Sequence, residues 1–251
     1  DNDDILPADY LTILKDMETN KPDIYKRFVL NNWDCEDDAF ILIPLKYIEA
    51  LKGINLYERI QGRVISCDPS TGGDECVIYV FYNSVVIDKL YLYERDTMKI
   101  VGHLMLLSAK HNINNFAVDV IGIGQGVCDR LSELGKRVYA IRSSNASSDT
   151  NKFYNLRTEM WWYTMQRIMD KEIPYPQDDE LIRQLTSIKY KVMNSNGQIR
   201  LEGKDETKKR LGRSPDRADS FVYGIWATRF MHPGNRIFEP QKYRDLSVVY
   251  G

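Results

Sequence analysis

Residues 63–94 read RVISCDPSTGGDECVIYVFYNSVVIDKLYLYE, and this stretch decides the fold. RVISCD (63–68) and CVIYVFYN (76–83) are dense in β-branched and aromatic residues and are separated by a Gly-rich turn. VVIDKLYLYE (85–94) alternates apolar with polar, and Asn83-Ser84 is a credible tight connection, so the three runs predict an antiparallel meander. Downstream, MKIVGHLMLLSAK (98–110) has helical spacing, NNFAVDV (114–120) reads as a short buried strand, and QGVCDRLSELG (125–135) as a helix closed by Gly135. RVYAIR (137–142) is a further strand, followed by a Ser/Asn loop and a long helix expected from about Asn151 to Asp170. A helix near 178–187 precedes a hairpin at 188–204, where Asn196-Gly197 is a strong turn dipeptide. A last helix opens at Ser214, whose oxygen is expected to accept an orphan amide, with Pro215 at the first helical position. The order predicts an α/β fold, a mixed sheet with helical cover. Residues 1–60 read as a lead-in without a core of their own.

Composition narrows the function classes. At 251 residues and 43% hydrophobic content the chain is long enough for one sizeable domain, and no run approaches the length of a membrane-spanning helix. No N-terminal stretch of the sequence has the basic-then-apolar pattern of a secretion signal, and a start at Asp1 suggests an excised domain or a processed product. Cys35, Cys67, Cys76 and Cys128 form no CxxC pair, which argues against a zinc site or a disulfide framework. The net charge of −2 hides a basic stretch: Arg183 to Arg217 holds ten Lys/Arg against four Asp/Glu, enough for a polyanionic partner despite the acidic N-terminal residues.

The carboxylates supply the chemistry. Asp68 ends the first strand and Asp119 the fourth, so the two emerge at one end of the sheet if those strands are neighbours. Asp216 and Asp219, three residues apart in the first turn of the last helix, share nearly one face and can be brought to the same place. Alone, that pair is more readily read as compensation of the helix dipole. Together, four carboxylates repel unless a cation joins them, and two divalent ions held by such oxygens suit phosphodiester hydrolysis. Asp74 reads as a turn residue and Asp129 as a helix-surface residue; His103 and His111 have no partner spacing for a metal. Glu159 faces either the site or its own helix, and Trp161 and Trp162 read as core. The GIGQG run (122–126) has Val127 where a dinucleotide fingerprint needs glycine, so its glycines read as a tight strand-to-helix turn.

Four segments in order, CDPSTGGDECVI, AVDVIGIGQGVCDRL, NLRTEMWW and KDETKKRLGRSPDRADSF, covering roughly residues 61–230, resemble the nuclease domain of the large terminase subunit of tailed double-stranded DNA bacteriophages. The resemblance implies a ribonuclease H-like mixed sheet, a three-strand antiparallel meander plus parallel strands, covered by helices on both faces. It implies a Mg²⁺- or Mn²⁺-dependent endodeoxyribonuclease that cuts concatemeric double-stranded DNA with two ions, Asp68, Asp119 and Asp219 matching the metal ligands and Asp216 falling where the family varies. Residues 61–231 would be the nuclease domain, 1–60 a connector from a packaging ATPase, and 232–251 a tail. That ATPase is absent here, because no GxxxxGK[ST] loop occurs. Implied partners are double-stranded DNA, the ATPase domain, the small terminase subunit and the capsid portal, in the host cell cytoplasm and without a membrane. Lys204, Lys208, Lys209, Arg210, Arg213 and Arg217 are the expected DNA contacts, although Arg217 can instead pair with an acid. A related nuclease or resolvase on the same fold, an ATPase of the actin and hexokinase type suggested by DPSTGG, and a non-catalytic DNA- or portal-docking module are the competing readings.

Overall fold

The computed structural model describes residues 14–15, 41–54, 62–70, 73–193 and 197–230, and the backbone of Arg244–Asp245. Contacts divide the chain between Phe40 and Ile41. In the first unit only Leu14 and Lys15, both helical, are described, so most of the lead-in reading and of the 232–251 tail reading lies outside the described residues.

In the second unit the meander forms as its sequence predicts: β1 (Arg63–Asp68), β2 (Cys76–Tyr82) and β3 (Val85–Leu92) pair antiparallel in sequence order. Asn83, at φ 54, supplies the left-handed residue of the β2–β3 turn. β4 (Asn115–Asp119) and β5 (Arg137–Ile141) then add in parallel on the other side of β1, and Arg244–Asp245 (β8) pairs with β5. The sheet order is β3-β2-β1-β4-β5-β8, a mixed sheet.

Alternation along the strands feeds two cores. Ile65, Cys67, Ile78, Val80, Phe116 and Val118 face helices α2 (Thr97–His111) and α3 (Gly124–Glu133). Val64, Val77, Tyr79, Phe81, Ala117 and Ile141 face the opposite layer, built from α4 (Leu156–Met169), α5 (Asp179–Leu185) and α7 (Asp216–Thr228). Helices therefore cover both faces. That second layer also takes in α1 (Leu45–Glu49): Leu42, Ile43, Ile48 and Leu51, from the stretch read as a lead-in, are buried core residues. Among the described residues no helix is long and apolar enough to cross a membrane.

Three local readings differ from the structure. Helix α4 begins at Leu156 rather than near Asn151, because Asn155 caps it by accepting from Thr158 N (3.0 Å), and because Phe153 bridges to Ile199, drawing 152–154 into extended pairing with the hairpin of β6 (Tyr190–Val192) and β7 (Ile199–Leu201). Ser214 does not cap α7: its hydroxyl donates to Asp74 Oδ2 (2.9 Å), and the helix starts behind Pro215 without a side-chain cap. An additional helix, α6 (Lys204–Leu211), lies between the hairpin and α7 and buries only Thr207, so no apolar periodicity marks it. It starts where Glu206 accepts from Gly203 N (3.2 Å) and stops at Gly212, φ 76. Of the Asn196-Gly197 turn, Asn196 lies outside the described residues and Gly197 has φ 71.

Helix α7 lies so tightly on the sheet that a Cβ on Gly224 would sit 2.0 Å from Phe81 Cε2. Gly224→Ala is expected to destabilise the chain by about 2–3 kcal/mol through overpacking, read as a thermal-midpoint fall of roughly 4–12 °C. Adding Phe81→Leu should recover part of that loss; an unchanged midpoint for Gly224→Ala would refute the packing argument.

Candidate active site

β1 and β4 run parallel with Cys67 opposite Val118, so Asp68 and Asp119, one residue further on, end the two strands side by side. Both side chains fall on the face that α7 covers. α7 is pinned there by Ser220, whose hydroxyl donates to Val77 O (3.0 Å) and lies 3.1 Å from Ser66 Oγ, which sets the buried Asp219 over the strand ends. One turn on, Tyr223 donates to Asp119 Oδ2 (2.8 Å), while Asp119 Oδ1 accepts from Ile121 N (2.9 Å). The turn after β4 must be tight: Gly122 takes φ 67, and a Cβ on Gly124 would lie 1.7 Å from the Asp119 carbonyl oxygen.

A lysine occupies the middle of this cluster. Lys204, the first residue of α6, places Nζ 3.1 Å from Asp219 Oδ2 and 4.0 Å from Asp119 Oδ2. Asp219 Oδ1 accepts from the Trp161 indole N–H (2.9 Å) and lies 3.7 Å from Arg157 Nε. Asp219 Oδ2 is buried and has no well-directed hydrogen bond. Arg157 is itself buried; it donates to the Glu202 carbonyl (3.0 Å), and its Nε and Nη2 make no hydrogen bond.

The charges sort accordingly. Burial pushes the Asp68 carboxyl well above its ordinary range; Lys204 opposes this, and Asp119, Asp219 and Asp216 add to it. Asp119 is raised by burial too, against the pull of Lys204 and its hydrogen bonds from Ile121 and Tyr223. Asp219 goes the other way: burial opposes its charge, but Lys204, Arg157 and Trp161 together hold it below the usual carboxylate range. Asp216 is pushed to about 7 by burial and by the nearby Asp74 and Asp219, although it accepts from Glu75 N (3.1 Å). Lys204, although partial desolvation of its ammonium opposes the charge, is raised above the ordinary lysine range by Asp219, Asp68 and Asp119.

All four sequence-predicted acids thus meet at one edge of the sheet. Among the described residues no three carboxylate, imidazole or thiol groups form a ready-made metal cage. The donors nonetheless fit a hard cation: they are carboxylate oxygens, one of them without a well-directed hydrogen bond, gathered around a position that already attracts an ammonium.

The basic residues are placed differently from one another. Lys208 pairs with Asp74 (2.8 Å), Arg210 with Glu202, and Arg213 with Glu75 (2.8 Å). Arg217 pairs with Glu75 (2.9 Å) and Asp178 (3.1 Å) rather than with the cluster. Lys209 is exposed and has no acidic partner among the described residues. Asp74 holds Lys208 and Ser214, Asp129 accepts from Gln125 on α3, and Glu159 accepts from Ser148, anchoring the loop ahead of α4. His111 lies 2.7 Å from Asp88, away from the site.

Sequence reasoning missed Tyr223, Trp161 and Arg157 as partners of the acids. For Tyr223 a signal exists, since it follows Asp219 by four on a helix. Trp161 and Arg157 lie in NLRTEMWW, and nothing in that pattern shows that they reach α7.

Neither a protein-family model nor a curated protein sequence matches the chain. Solved structures do. The nuclease domain of the large terminase subunit gp2 of bacterial virus Sf6, a lysine-to-alanine mutant with manganese and beta-thujaplicinol, superposes with a TM-score of 0.62 at 22% identity, over 74% of this chain and 98% of that one. The large terminase nuclease from thermophilic phage G20c with bound magnesium gives 0.52 at 15%, over 74% and 92%. The nuclease domain of Thermus phage P74-26 large terminase gives 0.50 at 13%, over 73% and 84%. At such identities the likeness is one of architecture: the chain has the ribonuclease H-like fold of phage large terminase nuclease domains.

Proposed function

We infer that the chain is the metal-dependent endonuclease domain of a viral DNA-packaging terminase, cutting concatemeric double-stranded DNA. One observation carries this reading: on the fold of terminase nucleases, Asp68, Asp119, Asp219 and Asp216 converge on a point held by the Lys204 ammonium. The packaging ATPase, small subunit and portal are the partners this reading brings with it, and the host cytoplasm is where it places the reaction.

Asp68 and Asp119 offer oxygens fixed by the sheet, while Asp219 offers one fixed by the helix. Mg²⁺ or Mn²⁺, bound by these oxygens, supplies the charge that activates a water and stabilises the leaving oxygen of the phosphodiester. Tyr223 fixes the rotamer of Asp119, and Trp161 and Arg157 keep Asp219 in place and ionised. Asp216 sits near neutrality and can hold a proton at physiological pH. Lys204 balances charge in the metal-free protein and must swing aside for a cation.

Asp68→Asn and Asp119→Asn are each expected to lower plasmid nicking with Mg²⁺ or Mn²⁺ by at least about a hundredfold, a loss typical of removing an electrostatic stabiliser. Metal-free thermal stability should hold or rise, since each change relieves carboxylate repulsion. Full activity in either variant would sink the assignment.

Lys204→Ala should tighten Mn²⁺ binding by the DNA-free chain about tenfold, the equivalent of removing roughly 1.4 kcal/mol of competition. Calorimetry reads this directly, and weaker binding would show that Lys204 is not the competitor.

Raised carboxyls bind protons that a cation must displace, so Mn²⁺ affinity should climb between about pH 6 and pH 8. Asp216, pushed to about 7, contributes within that window, and Asp216→Asn should flatten the climb. A flat profile in the parent chain would contradict the charge assignment.

A further inference from the structure

The sequence concentrates its cations in residues 183–217, but the fold splits them into two populations. From the start of α6 to the first turn of α7, Lys204, Lys208, Arg210, Arg213 and Arg217 are all engaged with carboxylates of this chain. Around the β6–β7 hairpin the situation is reversed. Lys191 and Arg200 are register partners, so two like charges stand directly opposite each other on one face of the hairpin. Such pairs are destabilising in an antiparallel ladder.

A third cation adjoins them. Ile199 N donates to Lys152 O (2.8 Å) and Tyr154 N to Ile199 O (2.9 Å), which lays residues 152–154 along β7. Phe153 and Ile199 turn inward, and Lys152 and Tyr154 are exposed. The Arg200 guanidinium stacks 4.2 Å above the Tyr154 ring, and Tyr154 is 46% exposed. Lys152, Lys191 and Arg200 have no carboxylate partner among the described residues. The nearby acids are already engaged: Glu202 accepts from Lys189 N and pairs with Arg210, and the Asp149 carboxylate accepts from Asn151 N and Lys152 N.

The position of this face gives it a partner. Arg200 precedes Lys204 by four residues, a reach of at most about 14 Å along the chain, which corresponds to about four nucleotide steps of a duplex strand. We propose that the outward face of the β6–β7 hairpin, with Lys152 and Tyr154, is a phosphate track that holds duplex DNA beside the carboxylate cluster. The proposal rests on the nuclease reading and deepens it by locating the substrate. Phosphate oxygens seated between Lys191 and Arg200 turn their repulsion into attraction, and the Tyr154 ring holds the guanidinium plane open towards the backbone. Lys208, Arg213 and Arg217, already neutralised, instead tie down Asp74 and Glu75.

Fluorescence anisotropy of the full chain with a labelled duplex, in chelator and across a salt series, tests the track. Replacing Lys152, Lys191 and Arg200 together by glutamine should reduce the slope of log affinity against log salt by about 2–3, because each phosphate contact contributes about 0.9. The same treatment of Lys208, Lys209 and Arg210 should reduce it by about 1 at most, the share of the unpaired Lys209. The single change Arg200→Glu guards against misfolding: it puts a carboxylate opposite Lys191, so the thermal midpoint should hold or rise while duplex binding falls at least about tenfold. If the parent chain binds duplex and the hairpin variant keeps the parent slope, the track is overturned and the nuclease reading stands. If that variant keeps its DNA slope but loses binding to polyglutamate, the face belongs to an acidic protein and the proposal is overturned. If the parent chain binds no duplex at all, both readings fall.

Discussion

The parallel alignment of β1 with β4 is the constraint on which the rest of the site depends. Once Cys67 is level with Val118, both strands end at the same edge of the sheet, and both end in aspartate. Like charges gathered at one edge repel, by roughly 4 kcal/mol for two unit charges at about 4 Å and an effective dielectric of about 20, and burial makes each less tolerable alone. A fold that keeps them needs a positive charge, a proton, or both. This one supplies the Lys204 ammonium between Asp219 and Asp119, and burial raises the carboxyls of Asp68, Asp119 and Asp216, the last to about 7.

How far the sequence reveals this depends on how local the cause is. The five long strands were legible almost to the residue because β-branched runs fill them and Gly, Asn or Asp bounds them; strands buried on both faces have no other composition available. The cluster's acids were legible for a related reason, since a carboxylate at the end of an apolar strand is hard to explain otherwise. The start of α4 was not legible, because it is decided by pairing between Phe153 and Ile199, far apart in the chain. α6 escaped because it buries a single threonine and is held by its ties to Asp74, Glu202 and the cluster rather than by an apolar stripe. The roles of Trp161 and Tyr223 escaped for the same physical reason, their hydrogen bonds spanning 58 and 104 residues.

Charge counting along the chain shows a comparable blind spot. Ten cations between Arg183 and Arg217 look like one basic stripe, yet the acids that neutralise three of them, Lys208, Arg213 and Arg217, come from elsewhere, from Asp74 and Glu75 after β1 and from Asp178 before α5. Only three-dimensional pairing separates cations that build the fold from cations left for a ligand. The separation also has a stability signature. The first group lowers the ionisation range of its partners, as for Asp178, held at about 2 against its burial by Tyr91, Leu181 N, Lys89 and Arg217. The second group leaves Lys191 and Arg200 opposed across a ladder, a cost that folding alone does not explain.

The two cations at Asp219 divide the work by their mobility. Lys204 stands at the start of a helix with 43% of its side chain exposed, so a modest rotation takes its ammonium to solvent. Arg157 has 8% exposed, is tied to the Glu202 carbonyl, and stacks on Trp161. If, as proposed, a metal ion took the place of the lysine, the arginine would remain, leaving Asp219 one counter-charge and one indole hydrogen bond. Its lowered ionisation range therefore rests in part on groups that stay in place. On the nuclease reading, that arrangement would let Asp219 present a charged oxygen to an incoming ion, whereas burial raises the carboxyls of Asp68 and Asp119, which have no buried arginine beside them.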